Sequence, residues 1–199
     1  IGKRRFEKAL AQFAHKDKIE VEWKSFQLNP DMKTDTSKSI AQHLAESKGW
    51  SAEQTKQIFA NVTQVAKEEG LNYNFHKTVV ANSFDAHCLI QLAKKNGKGD
   101  EMEERLFKAY FEEGKNIADH QTLTQLGVEV GLKKDEVEKM LTDGLYADNV
   151  RTDVREASEI GCSGVPFFVI NRKYGISGAQ DPSTILKALE KAFGEWEGK

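Results

Sequence analysis

The 199-residue chain has little cysteine, little proline and almost no net charge, and each shortage removes a class of protein. Two cysteines cannot build a disulfide framework, so a hydrophobic core must hold the fold, and a reducing compartment is the plainer setting. Three prolines and no Ser/Gly-rich tract argue against disorder. With 29 Lys+Arg against 31 Asp+Glu, the net charge of −2 gives no electrostatic case for nucleic acid or an anionic membrane as partner. The longest apolar stretch, Val165 to Ile170, is far too short to span a bilayer. Lys3, Arg4 and Arg5 have no apolar segment behind them, so the N-terminus does not read as a signal peptide. What is present, 39% hydrophobic and 30% charged residues, reads as a soluble, cytoplasmic globular protein of one large domain or two small ones.

Hydrophobic spacing divides the chain into three parts. Phe6, Ala9, Leu10 and Phe13 share one helical face, opposite Lys3, Arg4, Glu7 and Lys8. No Ser, Thr, Asp or Asn precedes this helix as a cap, so it opens inside its own period and upstream residues are expected. Ile19 to Phe26 alternates apolar and polar residues and predicts a half-buried strand, ended by Asn29-Pro30-Asp31. From about residue 37 to residue 160 strand patterns vanish. Ser51 with Gln54 predicts a capping box, for a helix burying Ile58, Phe59, Val62 and Val65 and stopping at Gly70. Ser83 opens another helix, with Leu89, Ile90 and Ala93 inward. Met102, Leu106 and Tyr110 mark a third, ending at Gly114. Shorter helices follow over Leu123–Val130 and Val137–Leu141, and a last one carries Val150, Val154, Ala157 and Ile160 to Gly161.

The C-terminal part changes character again. Phe167 to Ile170 is a continuous apolar run, predicting a central strand buried on both faces. Asn171-Arg172-Lys173 reads as a hairpin turn, Tyr174 to Ser177 as the return strand, and Asp181-Pro182 as the start of a final helix with Ile185, Leu186, Leu189 and Phe193 inward. The order predicts α/β architecture, with residues 1–31 and about 147–199 in one domain and residues 32–146 as an inserted all-helical domain.

Gly161-Cys162-Ser163-Gly164-Val165-Pro166-Phe167-Phe168 is the most informative stretch. A proline just before a buried strand cannot donate a ladder hydrogen bond. One use is a cis Val165-Pro166 bond that offers the Val165 backbone to an extended peptide or thiol ligand; the bland reading is a strand-start proline. The run GVPFFVINRKYGISGAQ, with IGKRRFEKAL, EWKSFQLNPD, NSFDAH and EMEERLFKAYFEEGKNI, resembles the FrnE-like branch of the DsbA family along nearly the whole chain. The resemblance implies a thioredoxin-like fold with a helical insertion, a cis-proline loop at Val165-Pro166 facing the redox site, and thiol–disulfide exchange on a protein or small thiol without a cofactor. It also implies that the family's Cys-x-x-Cys and first strand precede Ile1, so no catalytic residue is assigned within residues 1–199. A sheet without that strand would expose two edges, which argues the same way.

Cys88, between Ala86 and Leu89, reads as a buried structural thiol, whereas Cys162 reads as the more accessible one. Candidate substrate-binding residues are Gly164, Val165 and Pro166 in the loop, and Asn82 and His87 in NSFDAH; for the last two the alternative is a capping segment with a packed histidine. The five histidines show no metal-ligand spacing, so no metal is expected. Rival readings are a glutathione-dependent isomerase or transferase of the kappa-class type, with Ser in place of the attacking Cys, and a catalytically inactive thioredoxin-fold binding module.

Overall fold

Along the chain of the computed structural model, which describes residues 1–198, the elements run α1 (Gly2–Gln12), β1 (Asp35–Ser39), α2 (Ile40–Lys48), α3 (Ala52–Glu68), β2 (Val79–Val80), α4 (Phe84–Lys95), α5 (Gly99–Phe107) with a π turn (Lys108–Glu112), α6 (His120–Glu129), α7 (Lys134–Asp143), α8 (Ala147–Glu159), β3 (Phe167–Ile170), β4 (Tyr174–Ser177) and α9 (Pro182–Glu197). Packing divides them into two units: residues 1–22 with those from Ala157 onward, and residues 23–156.

In the first unit Ala9 of α1 and Phe13 just beyond its end are buried against Ile176 of the hairpin and Ile185, Leu189 and Phe193 of α9. Phe6 stacks on Phe168 with centroids 5.6 Å apart, and Phe13 meets Phe193 edge-on. Such ring pairs add about 0.5–1.5 kcal/mol each beyond area burial. β3 and β4 pair antiparallel in register from Phe167↔Ser177 to Ile170↔Tyr174. Asn171 and Arg172 both take positive φ, 50° and 55°, and Lys173 N–H donates to Ile170 C=O, which is the mirror-image turn that suits strand twist. Asp181 caps α9 by accepting from Ser183 N–H at 2.9 Å, with Pro182 at the first helical position.

In the second unit α4 is buried along most of its length. Leu89, Leu92 and Ala93 pack among Met102 and Leu106 of α5, Leu123 and Leu126 of α6, Val137 and Met140 of α7 and Val150 of α8. α6 and α7 approach so closely that a Cβ on Gly127 would stand 2.9 Å from Val137 Cγ2. The capping box of α3 forms as predicted, Gln54 N–H donating to Ser51 Oγ and Ser51 N–H to Gln54 Oε1.

Several expectations are corrected. Residues 19–26 form no ladder, because a strand needs a second one alongside and none of the described residues supplies it. β3 pairs only with β4 among the described residues and is not buried on both faces: Val169 is 46% exposed and its neighbours are half-buried. The 32–146 segment is not all-helical, since β1 pairs with β2 at Asp35↔Val80 and Ser39↔Val79. β1 reads Asp-Thr-Ser-Lys-Ser, without an apolar alternation to announce it. α2, capped by Ser39 and stopped by Gly49 at φ 67°, carries no strong apolar stripe and lies outside the expected helices. The helix expected to reach Gly114 changes to a π turn at Lys108. In α3 the fully buried residues are Thr55 and Ala66, with the expected Ile58, Phe59, Val62 and Val65 half-buried.

The sequence predicts boundaries at 31/32 and about 146/147; packing divides the chain at 22/23 and 156/157. A buried polar knot is the physical reason. Asp153 of α8 accepts from Ser25 N–H at 2.9 Å and from Gln91 Nε2 of α4 at 2.7 Å, and Gln91 Nε2 also donates to Ser25 Oγ at 3.0 Å. No helix is long and apolar enough to cross a membrane among the described residues.

Candidate functional site

The N-terminal turn of α1 lies directly on Pro166. A Cβ placed on Gly2 would stand 2.5 Å from Pro166 Cγ and 2.9 Å from Pro166 Cβ, so only glycine admits the ring at this distance. The Val165-Pro166 peptide is cis. Around it, Gly178 N–H donates to Pro166 C=O at 2.8 Å, and the Arg5 guanidinium donates to Ala179 C=O at 2.5 Å. Helix α1, the proline loop and the segment after β4 are thereby joined.

The loop itself is set by the end of α8. Gly161 takes φ 75°, its N–H donates to Ser158 C=O, and Cys162 N–H donates to Ala157 C=O, which ends the helix and turns the chain toward Pro166. Cys162 is half-buried and free, and its thiol donates to Gly164 C=O at 3.3 Å. Val165 is 51% exposed, and neither its N–H nor its C=O finds a partner among the described residues. Those two groups can pair with an extended ligand backbone in the manner of strand addition. A Cβ on Gly164 would meet nothing within 4 Å, so open space borders the loop at Gly164. The first turn of α1 carries no acidic residue, so the positive pole of the helix is not offset from within that turn and favours an anion such as a thiolate.

Asn82 and His87 stand in the second unit, just before and within the first turns of α4. Asn82 commits every side-chain hydrogen-bonding capacity it has. Oδ1 accepts from Phe84 N–H at 2.8 Å and Gln27 Nε2 at 3.3 Å, while Nδ2 donates to Met32 C=O at 2.8 Å and Pro30 C=O at 3.3 Å. Asn82 therefore takes the capping role that Ser83, without a side-chain cap bond, does not fill. Burial holds the His87 imidazole below its ordinary pKa, against the opposing pull of the Phe26 backbone and Asp153, and its buried Nδ1 has no partner among the described residues. Cys88 is buried, and that burial, reinforced by Asp85, pushes its thiol up to about 11. Among the described residues no group of three or more His, Cys, Asp or Glu could hold a metal.

Gly2 and Arg5 are the residues sequence reasoning missed. The signal for Gly2 was a glycine at the start of an otherwise strong helical pattern, a costly choice unless something approaches the backbone. Arg5 gave none, since its partner is 174 positions away.

The model of the DSBA-like thioredoxin domain matches residues 1–190. An uncharacterized Bacillus subtilis protein, YwbO, is 31% identical over 197 residues, covering 95% of this chain and 88% of its own length. The crystal structure of the probable DsbA oxidoreductase SCO1869 from Streptomyces coelicolor superposes with a TM-score of 0.92 at 38% identity, over 98% of this chain and 84% of that one. The cytosolic disulfide reductase DsbM from Pseudomonas aeruginosa shares the fold, with a TM-score of 0.65 at 16% identity, over 96% of this chain and 91% of that one.

Proposed function

This chain belongs to the DSBA-like thioredoxin domain family, and from that premise we propose that it is a thiol–disulfide oxidoreductase of the FrnE type, acting in the cytoplasm. The observation that carries the reading is the contact of the first turn of α1 with Pro166 through Gly2, beside a Val165 backbone left free to pair. A thiol held at that end of α1 is stabilised as thiolate by the helix N–H groups and meets a substrate aligned on Val165. Following the FrnE-like resemblance, the chemistry belongs to a Cys-x-x-Cys immediately before Ile1, and not to Cys88 or Cys162.

The first thiolate attacks one sulfur of a substrate disulfide. That S–S bond breaks, a mixed disulfide forms, and the departing substrate sulfur leaves as thiolate and takes up a proton. The second cysteine, deprotonated, then displaces the remaining substrate sulfur. The substrate gains two electrons and the protein is left as its disulfide, to be reduced by a small dithiol or two monothiols. The structure of the Pseudomonas reductase with GSH supports a small thiol in that second half-reaction.

The test is insulin reduction by the complete protein with dithiothreitol, beside its Cys162→Ser variant. Both are expected to be active. Activity lost in Cys162→Ser would make Cys162 the nucleophile. Inactivity of both, with glutathione-dependent isomerase or transferase turnover, would favour the kappa-class reading.

A further inference from the structure

Two attachments join the first turn of α1 to the proline loop, and they act in opposite senses. The fit of Gly2 against the Pro166 ring sets how near the loop can come, since the ring stands where a Cβ would be. Contact of that kind stops approach but does little against separation, because each pair of apolar atoms gains only a small dispersion energy. Separation is opposed by a polar attachment. Arg5, in the same helical turn as Gly2, donates from its guanidinium to Ala179 C=O at 2.5 Å. A hydrogen bond from a charged donor is roughly twice as strong as a neutral one.

Ala179 belongs to a turn whose bonds lead back to Pro166, all within the first unit. Gly178 N–H donates to Pro166 C=O at 2.8 Å, which continues the β3–β4 pairing one residue beyond Phe167↔Ser177. Gly178 takes φ 80°, a conformation that glycine adopts without strain, and the chain turns away from the ladder. Gln180 closes the turn twice, its N–H donating to Gly178 C=O at 2.9 Å and its Nε2 to Ser177 C=O at 2.8 Å. The carbonyls of Ser177, Gly178 and Ala179 are thus each engaged, two from within the turn and the third by Arg5 from α1. A turn so bonded moves as one piece, so holding Ala179 also holds Gly178 and, through it, the carbonyl of Pro166.

We propose that Arg5 is a positioning residue for disulfide exchange: by tethering the Ser177–Gln180 turn to α1, it fixes the distance between the end of that helix and the Val165 backbone that aligns the substrate. The inference rests on the oxidoreductase reading, which places the redox thiol at that end of α1. Because the role is carried through the turn, it belongs to turnover of an aligned substrate and not to the reactivity of the thiol by itself. The Val165 N–H and C=O stay free to pair without Arg5, so the effect falls on kcat and leaves KM.

The experiment measures insulin reduction with dithiothreitol by the complete protein and by its Arg5→Met, Arg5→Lys and Gln180→Ala variants, with rates normalised to folded protein by circular dichroism. Arg5→Met keeps an apolar stem and removes the donor, and kcat falls about tenfold, less than the roughly 100-fold that a full misplacement by about 1 Å can cost. KM stays within about twofold. Arg5→Lys recovers most of the loss, since an ammonium can donate to the same carbonyl. Gln180→Ala, at an exposed position, loosens the turn from its other side and lowers kcat about threefold. A second readout separates positioning from a merely structural role. Iodoacetamide alkylation of the redox cysteine, followed by mass mapping of the peptide before Ile1, keeps its rate within about twofold in every variant, because alkylation needs no aligned substrate. A kcat within about twofold of the parent in Arg5→Met overturns the proposal, and the same result in Gln180→Ala overturns it whether or not Arg5→Met folds. An alkylation rate that falls in step with kcat also overturns it, since Arg5 then acts on the thiolate or the fold. A parent that does not reduce insulin refutes the oxidoreductase reading itself.

Discussion

Replacing Gly2 with alanine tests the contact on which the functional reading stands. The new Cβ would lie 2.5 Å from Pro166 Cγ and 2.9 Å from Pro166 Cβ, where ordinary contact begins near 3.4 Å. A proline ring is tied to its own backbone and cannot swing aside, so α1 or the Val165-Pro166 loop must yield by about 1 Å. Overpacking of this kind costs about 1–3 kcal/mol. The gain in helix propensity on replacing glycine offsets at most about 1 kcal/mol of it. A net loss of about 1–2 kcal/mol lowers Tm by roughly 3–6 °C in a chain of this size. Gly194 in α9 is the control: a Cβ there meets nothing within 4 Å. Gly194→Ala should therefore raise stability by roughly 0.8–1 kcal/mol. Thermal unfolding of both variants, with insulin reduction as a second measurement, separates packing from propensity. Displacement of Pro166 by about 1 Å should also cut kcat on the order of 10- to 100-fold. A Gly2→Ala protein as stable as Gly194→Ala, with undiminished turnover, would refute the close approach of α1 to Pro166.

Two further outcomes follow from the electrostatics. The buried Cys88 thiol, pushed up to about 11, should resist iodoacetamide at pH 8 until the protein unfolds, while the half-buried Cys162 labels in the native state; mass mapping of alkylated peptides reads both. Asp119 caps α6 by accepting from Thr122 N–H at 2.7 Å, and that bond holds its carboxyl below the usual value. Because the folded pKa is the lower one, the contribution of Asp119 is complete above the unfolded value near pH 4 and is lost as pH falls through the folded value. Asp119→Ala should cost about 1 kcal/mol at pH 7, and Asp119→Asn should keep much of the cap while removing its acid dependence; urea midpoints at pH 7 and pH 3 distinguish them.

The sequence by itself determined the elements whose signals are local. The Ser51–Gln54 box, the Asn171–Lys173 turn and the Asp181-Pro182 start are each written within a few adjacent residues, because capping and turn formation involve groups that close in the chain. The apolar stripe of α1 and the Leu89 face of α4 were legible for the same reason, since helical spacing repeats every turn. The five stretches from IGKRRFEKAL to GVPFFVINRKYGISGAQ, kept in order along the chain, pointed to the DsbA family, and the Val165-Pro166 loop stands out in the sequence as its most informative stretch.

Only the tertiary structure decided what depends on groups far apart in sequence. Ile19–Phe26 has the alternation of a strand, but alternation does not create a partner, and no ladder forms. β1 forms against Val79 and Val80 although its own residues are polar, because pairing there follows from where the segment from Asn74 onward is carried. That segment is tied by Asn74 N–H to Phe111 C=O of the π turn, 37 positions along the chain. Asn82, offered by the sequence both as a substrate contact and as part of a capping segment, holds the 27–34 segment through four partners that are assembled only by folding. The glycine at the start of α1 can be noticed in one dimension, but its contact with Pro166 exists only in the fold. Local hydrogen-bonding rules act over a turn of chain and can be read from one dimension. Close approach, burial and satisfaction of polar groups are properties of neighbours in space, and the fold alone supplies those neighbours.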